Sequence, residues 1–257
     1  MTRPRVYQTE AIVLNRHRFG EADQLLVLYT PHRGKLRAVA KGALRTKSKL
    51  GGHLEPLCHS LLLLAEGKNL DIVTQCQTIN SFLPLREDLW RTSCALYAAE
   101  LVDRFTVENL ENYLLYKLLV NTLDRLCQAS PPQGGQLALR YFELHLLDYT
   151  GYRPELQVCL SCQQPLEPVP NYFSASGGGV LCPLCRHSEP LSQPLSVNAL
   201  KVLRHFQQNT YSTASRLRLT PQLQQELEKL MRSYINYQLE HQVKSAAWLD
   251  TLSRNQN

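Results

Sequence analysis

The sequence predicts an α+β protein: a small five-stranded β-barrel at the N-terminus, then an all-α region interrupted by a four-cysteine insert. Three observations lead there. Apolar residues recur with period two from residue 10 to about 80, they switch to helical spacing after about 82, and two C-x2-C pairs fall inside the helical part. At 257 residues and 44% hydrophobic content the chain can bury two cores. Domains are expected at 1–81 and 82–257, with the cysteine module at about 156–190.

Five segments carry the strand pattern: EAIVLNRHRF (10–19), DQLLVLYT (23–30), KLRAVAKGA (35–43), HLEPLCHSLLLLA (53–65) and NLDIVTQCQTI (69–79). FGEAD, PHRG, Gly51–Gly52 and EGK between them are good turn chemistry. Five short strands in so few residues suit an OB-fold, with an SH3-like barrel as the alternative that composition leaves open.

Helical spacing then runs through 85–105, with Glu87 and Asp88 early, where the helix dipole favours anions. A second helix is expected over 108–129, ended by SPPQGG (130–135), and a third over 136–151, with Gly151 as its stop. Ser196 is placed to cap VNALKVLRHFQQN, and Thr220 followed by Pro221 to start a last helix.

Cys159, Cys162, Cys182 and Cys185 form C-x2-C-x19-C-x2-C. Each C-x-x-C turn sets two thiolates on one side of a tetrahedron, and the loop between the pairs brings the second two opposite. That loop holds NYFSASGGGVLC, a hairpin with Gly177–Gly179 at its turn. A structural zinc ion is expected there, because four thiolates leave no position for a reacting water. His187 reads as a solvated loop residue. Cys58, Cys76, Cys94 and Cys127 sit among apolar neighbours and read as core.

Enzyme signatures are missing from the sequence. The pairs Gly34–Lys35 and Gly67–Lys68 have no first P-loop Gly and no following Ser or Thr, and there is no G-x-G-x-x-G. His53-Leu-Glu55 resembles a deaminase motif only faintly, since no Pro precedes Cys182. No catalytic residues and no small-molecule substrate are expected. The longest apolar run, SLLLLA (60–65), is far short of the roughly 18 residues of a membrane span. Glu10 falls where a signal peptide would be apolar, so a cytosolic location away from membranes is expected.

The charge is uneven. Residues 1–80 hold 12 Lys/Arg and 6 Asp/Glu, whereas residues 81–257 hold 16 of each. Arg33, Lys35, Arg37, Lys41, Arg45, Lys47 and Lys49 are packed into HRGKLRAVAKGALRTKSK, with no acid between Asp23 and Glu55. On a strand, Arg33, Lys35 and Arg37 share a face, and RTKSK reads as a loop beyond it. Such a run suits contact with a sugar–phosphate backbone. Phe19 and Tyr29 are the nearby aromatics that stack on bases in other barrels, but both are expected in the core.

Residues 11–57 closely resemble the N-terminal segment of the bacterial RecO family of recombination mediators. YFELHLLDYTGYRPELQVCLSC…YFSASGGGVLCPLC (141–185) resembles that family's approach to its zinc module, in the same order and spacing. The resemblance implies an N-terminal OB-fold, a helical C-terminal domain and a four-cysteine zinc insert. It further implies a non-enzymatic activity at the bacterial nucleoid. The protein would bind single- and double-stranded DNA, anneal complementary strands, and act with RecR to load RecA on DNA coated by single-stranded DNA-binding protein. The acidic C-terminal tail of that last protein is an expected partner. The family's basic contacts carry over to the run from Arg33 to Lys49. The alternatives are a zinc-containing RNA-binding or translation-associated OB-fold protein, and an adaptor whose basic face meets an acidic peptide.

Overall fold

The computed structural model describes residues 5–129, 133–240, 243, 245 and 246. They fall into two compact units. One runs to Gln128 and includes Ser245 and Ala246; the other begins at Ala129 and ends at Val243.

In the first unit, strands β1 (Val6–Phe19), β2 (Asp23–Thr30), β3 (Gly34–Ala40), β4 (His59–Ala65) and β5 (Asp71–Asn80) close into a barrel in the order β1-β2-β3-β5-β4. All neighbours are antiparallel except β3 and β5. β1 serves two partners: Val6 to Ile12 pair with β4, and Ile12 to Phe19 pair with β2. A register shift between Val13 and Asn15 lets it bend from one to the other. This closed five-stranded barrel is an OB-fold. Val13, Leu26, Leu28, Leu62, Leu64 and Val73 fill its interior.

Three strand expectations change, the first being that β1 starts at Val6 and not at Glu10. Residues 53–58 are not strand: Gly51–His53 is a 3-10 turn, Pro56 lacks a ladder donor, and Leu57 has φ +70°. The apolar residues read there as strand are Leu54 and Leu57, both buried in the connection between β3 and β4; Leu54 lies in the barrel core. β3 stops at Ala40, before Gly42 with φ +65°, rather than at residue 43.

Helices α1 (Leu83–Arg86), α2 (Leu89–Phe105) and α3 (Tyr113–Gln128) follow. The single helix expected over 85–105 is broken because Asp88 caps α2, its carboxylate accepting from Arg91 N at 2.7 Å. The helix expected from 108 starts at Tyr113, behind Asn112, whose Oδ1 accepts from Leu115 N at 3.0 Å. Residues 106–112 instead run beside β3, where Asn109 N donates to Lys35 O at 2.8 Å. α2 packs on β1 and α3 on β2. The Tyr116 hydroxyl also ties α3 to β4 and β1, meeting His59 Nε2 (2.9 Å) and Glu10 Oε2 (3.1 Å). The change of period at 82 therefore marks the end of β5, whereas the compact unit continues through α3.

The SPPQGG segment falls partly outside the described residues, at 130–132; α4 (Gln133–Tyr149) starts the second unit and ends ahead of Gly151, φ +87°. β6 (Asn171–Ser174) and β7 (Gly179–Leu181) form the expected hairpin, joined by an unforeseen third strand, β8 (Gln193–Leu195). Then come α5 (Val197–Gln208), α6 (Tyr211–Ala214) and α7 (Pro221–Leu239). Ser196 Oγ accepts from Ala199 N and Thr220 Oγ1 from Leu223 N, as the cap signals predict. α4 packs against α5 and α7 around Phe142, Leu146, Phe206, Leu227 and Ile235. No helix among the described residues is long and apolar enough to cross a membrane.

Candidate nucleic-acid interface and metal centre

The basic run divides into two sets with different surroundings. Arg33, Lys35 and Arg37 lie on or beside β3, and each meets a carboxylate from a distant part of the same unit. Arg33 Nη2 is 2.9 Å from Glu66 Oε1 and its guanidinium covers the Tyr7 ring at 3.8 Å. The hydrogen bond to Glu66 raises the Arg33 pKa, fixing its charge. Lys35, 13% exposed, donates to Asp103 Oδ1 at 3.0 Å and to the Asp103 carbonyl. Arg37 Nε is 2.6 Å from Glu108 Oε1.

The reason lies in the ladder. β3 pairs with β5 only at Ala38 and Val39, so its N-terminal half has an edge that β5 leaves uncovered. Residues 108–109 take that edge and carry Glu108 with them, while α2 presents Asp103. None of these acids lies inside the basic run, which is why a reading of that run alone misses them. The nearest available hint is that Asp103 and Glu108 flank the end of a helix pattern.

Lys41, Arg45, Lys47 and Lys49 form the second set. All four are exposed, and no carboxylate pairs with any of them among the described residues. Their loop is nonetheless anchored. Gly42 N donates to Asp23 Oδ1 (2.7 Å) and Leu44 N to Ala22 O (2.9 Å), pinning it against the β1–β2 turn, while Ala43 is buried in the barrel core. The two aromatics part ways: Tyr29 is fully buried, as expected, but Phe19 is 45% exposed because β1 ends there, beyond the reach of the core.

The four insert cysteines converge in the second unit. Their Sγ atoms all lie within 4.8 Å of one another, and those of Cys162 and Cys182 are 3.9 Å apart. A disulfide would bring sulfurs to about 2 Å, whereas a tetrahedron with zinc–sulfur bonds of about 2.3 Å sets them about 3.8 Å apart. The donor set fits a metal ion. Cys182 N donates to Cys159 Sγ at 3.3 Å. Burial of Cys159 opposes ionisation, but backbone hydrogen bonds from Cys162, Cys182 and Ser161 prevail and bring its pKa down to about 6. At Cys185 a hydrogen bond with Ser161 favours the thiolate, yet hydrogen bonds shared with Cys182, Cys162 and Cys159 hold the proton and push it up to about 12. Four adjacent thiolates repel, and a divalent cation removes that cost.

The ligand turns are held by backbone contacts: Leu160 N donates to Val180 O (2.9 Å) and Val180 N to Glu155 O (3.0 Å). Gly179 is required at this seam, since a Cβ there would lie 2.7 Å from Glu155 O. His187 is exposed and outside the cluster.

The geometry defines an OB-fold protein with a helical region that carries a four-thiolate centre. Comparison with known proteins adds the family. Residues 1–82 match the recombination protein O N-terminal model and residues 86–247 the recombination protein O C-terminal model. The chain is 43% identical over 252 residues to the DNA repair protein RecO of Dehalococcoides mccartyi strain CBDB1, covering 98% of both chains. It is 44% identical over 248 residues to that of Roseiflexus sp. strain RS-1, covering 96% of this chain and 86% of the relative. The RecO of Heliobacterium modesticaldum is 38% identical, with 97% and 91% covered. The chain belongs to the RecO family of DNA repair proteins.

Proposed function

We propose that the protein is a non-enzymatic recombination mediator that grips DNA through the cationic loop at 41–49 and anneals complementary strands. Annealing requires the repulsion between two phosphate backbones to fall while the bases stay free to pair. A loop of exposed cations on a barrel end does this by contacting backbone, with no base readout needed. The observation that carries the reading is the separation of Lys41, Arg45, Lys47 and Lys49, which have no carboxylate partner, from Arg33, Lys35 and Arg37, which do. On this reading the DNA contact lies on the loop and not on the strand.

In keeping with its family, the protein is proposed to bind single- and double-stranded DNA and to work with RecR in loading RecA. The DNA would be coated by single-stranded DNA-binding protein, whose acidic tail is a further proposed partner. The four thiolates are proposed to hold one structural zinc ion, which when bound would fix the two C-x-x-C turns against each other.

The test is annealing of two complementary labelled strands over a salt series, for wild type and for a variant with all four loop cations changed to alanine. Salt-sensitive annealing lost in the variant supports the reading. Wild type that neither binds nor anneals DNA at low salt overturns it, and preference for RNA over matching DNA in competition would transfer the loop to an RNA-binding role.

A further inference from the structure

We propose that Phe19 is a stacking platform for an unpaired base, set beside the cations that hold the flanking phosphates. The inference rests on the reading that the 41–49 loop binds DNA, and it adds what that loop alone does not provide: a preference for single strands.

An exposed aromatic ring on its own says little, since single apolar residues are common on surfaces. The surroundings of Phe19 make it different. It is the last residue of β1, paired with Asp23 across the turn. The same Asp23 accepts the Gly42 amide, and Ala22 in that turn accepts from Leu44 N. Ring and loop are therefore fixed to one short turn at one end of the barrel. Arg45 extends along Gly42, its side chain within 3.9 Å of where a Cβ would stand on that glycine. Arg18 folds back on the turn, reaching the carbonyls of Gly20 (3.4 Å) and Glu21 (3.3 Å). Leu44, 44% exposed, adds a second apolar surface on the loop.

The chemistry these groups recognise is specific. Cations alone hold any polyanion, and an apolar ring alone holds any flat apolar group. Together they match a nucleotide whose base has left its stack, with its phosphate a few ångströms away. The β1–β2 loop is also one of the two loops with which OB-fold barrels commonly meet oligonucleotides. A duplex keeps its bases stacked on one another and offers the ring nothing, so the contact discriminates by strand state and not by sequence.

The experiment measures affinity at low salt for three labelled probes: an oligothymidylate of roughly 15 nucleotides, an abasic strand of the same length, and a duplex. Wild type, Phe19→Ala, Phe19→Leu and Phe19→Tyr are compared, with melting checked for each. Wild type should hold oligothymidylate about 5- to 150-fold more tightly than the abasic strand, the range of one base–aromatic stack. Phe19→Ala and Phe19→Leu should lose that advantage without changing abasic or duplex binding, and Phe19→Tyr should keep it. If Phe19→Ala binds all three probes as wild type does, or loses all three equally, stacking is wrong while the DNA reading stands. If wild type binds none of the probes, the DNA reading fails and the stacking proposal with it.

Discussion

The division of the cations makes a quantitative prediction. A cation that replaces a condensed counterion on single-stranded DNA contributes about 0.7 to the slope of log affinity against log salt. A cation already held by a carboxylate must give up that partner to do so, and little net release follows. Only Lys41, Arg45, Lys47 and Lys49 should then count, giving a slope of about −2.8. Raising salt from about 50 to about 200 mM should weaken binding about 50-fold. Lys47→Ala with Lys49→Ala should halve the slope, to about −1.4, and reduce the loss to about 7-fold. Fluorescence anisotropy of a labelled oligothymidylate reads all of these. Two results would refute the reasoning: a slope near −2.8 surviving removal of all four loop cations, or an equal drop in slope from Arg37→Met in a protein that melts as wild type does.

Lys35→Met should instead act on stability, since it strips Asp103 of a partner at a site where the lysine is 13% exposed; a loss of about 1–2 kcal/mol in urea unfolding is expected, with the salt slope unchanged. Gly34→Ala should cost about 2 kcal/mol or more in the same assay, because φ is +60° and a Cβ would meet Leu110 O at 1.9 Å. One metal ion per chain should be measured by elemental analysis, and Cys182→Ser should lower both metal content and melting temperature. Alkali supplies a fourth test. Burial pushes the Tyr7, Tyr29 and Tyr116 hydroxyls well above the usual range and Tyr234 up to about 12. A raised folded pKa means stability that is complete below about pH 10 and drains away as pH rises through the folded value. These tyrosines should ionise, by absorbance at 295 nm, only as far-ultraviolet dichroism is lost; full ionisation ahead of that loss would contradict their burial.

Periodicity made the barrel strands legible, and cap chemistry placed α5 and α7, because both signals are local. Cys159, Cys162, Cys182 and Cys185 were equally legible, since ligand spacing is itself the geometry. Leu54 and Leu57 misled because apolar residues of a connection that are buried look, in the sequence, like those of a short strand. Phe19 misled because a large aromatic in a strand pattern reads as core, whereas the end of β1 at the turn exposes it. The state of Arg33, Lys35 and Arg37 was not legible at all. Their partners Glu66, Asp103 and Glu108 are brought in by the fold, and no reading confined to residues 32–49 contains them.

The closure of the barrel is uneven, and this has a consequence for how it breathes. β2 and β3 are joined by seven residue pairs, from Gln24–Ala40 to Thr30–Gly34, whereas β3 and β5 meet at two, Ala38–Asp71 and Val39–Ile72. The cylinder is in effect a rolled sheet with a short hem. Side-chain clasps lie close to that hem: the Tyr7 hydroxyl on Asp71 and Arg33 on Glu66. Thermal fluctuation should part the molecule there first, so the amides of β3 and β5 along this seam would trade hydrogen for deuterium ahead of those between β1 and β2. Glu66, the carboxylate that pairs with Arg33, would then also be a stitch, and the ion pair that occupies a strand cation would help keep the barrel shut.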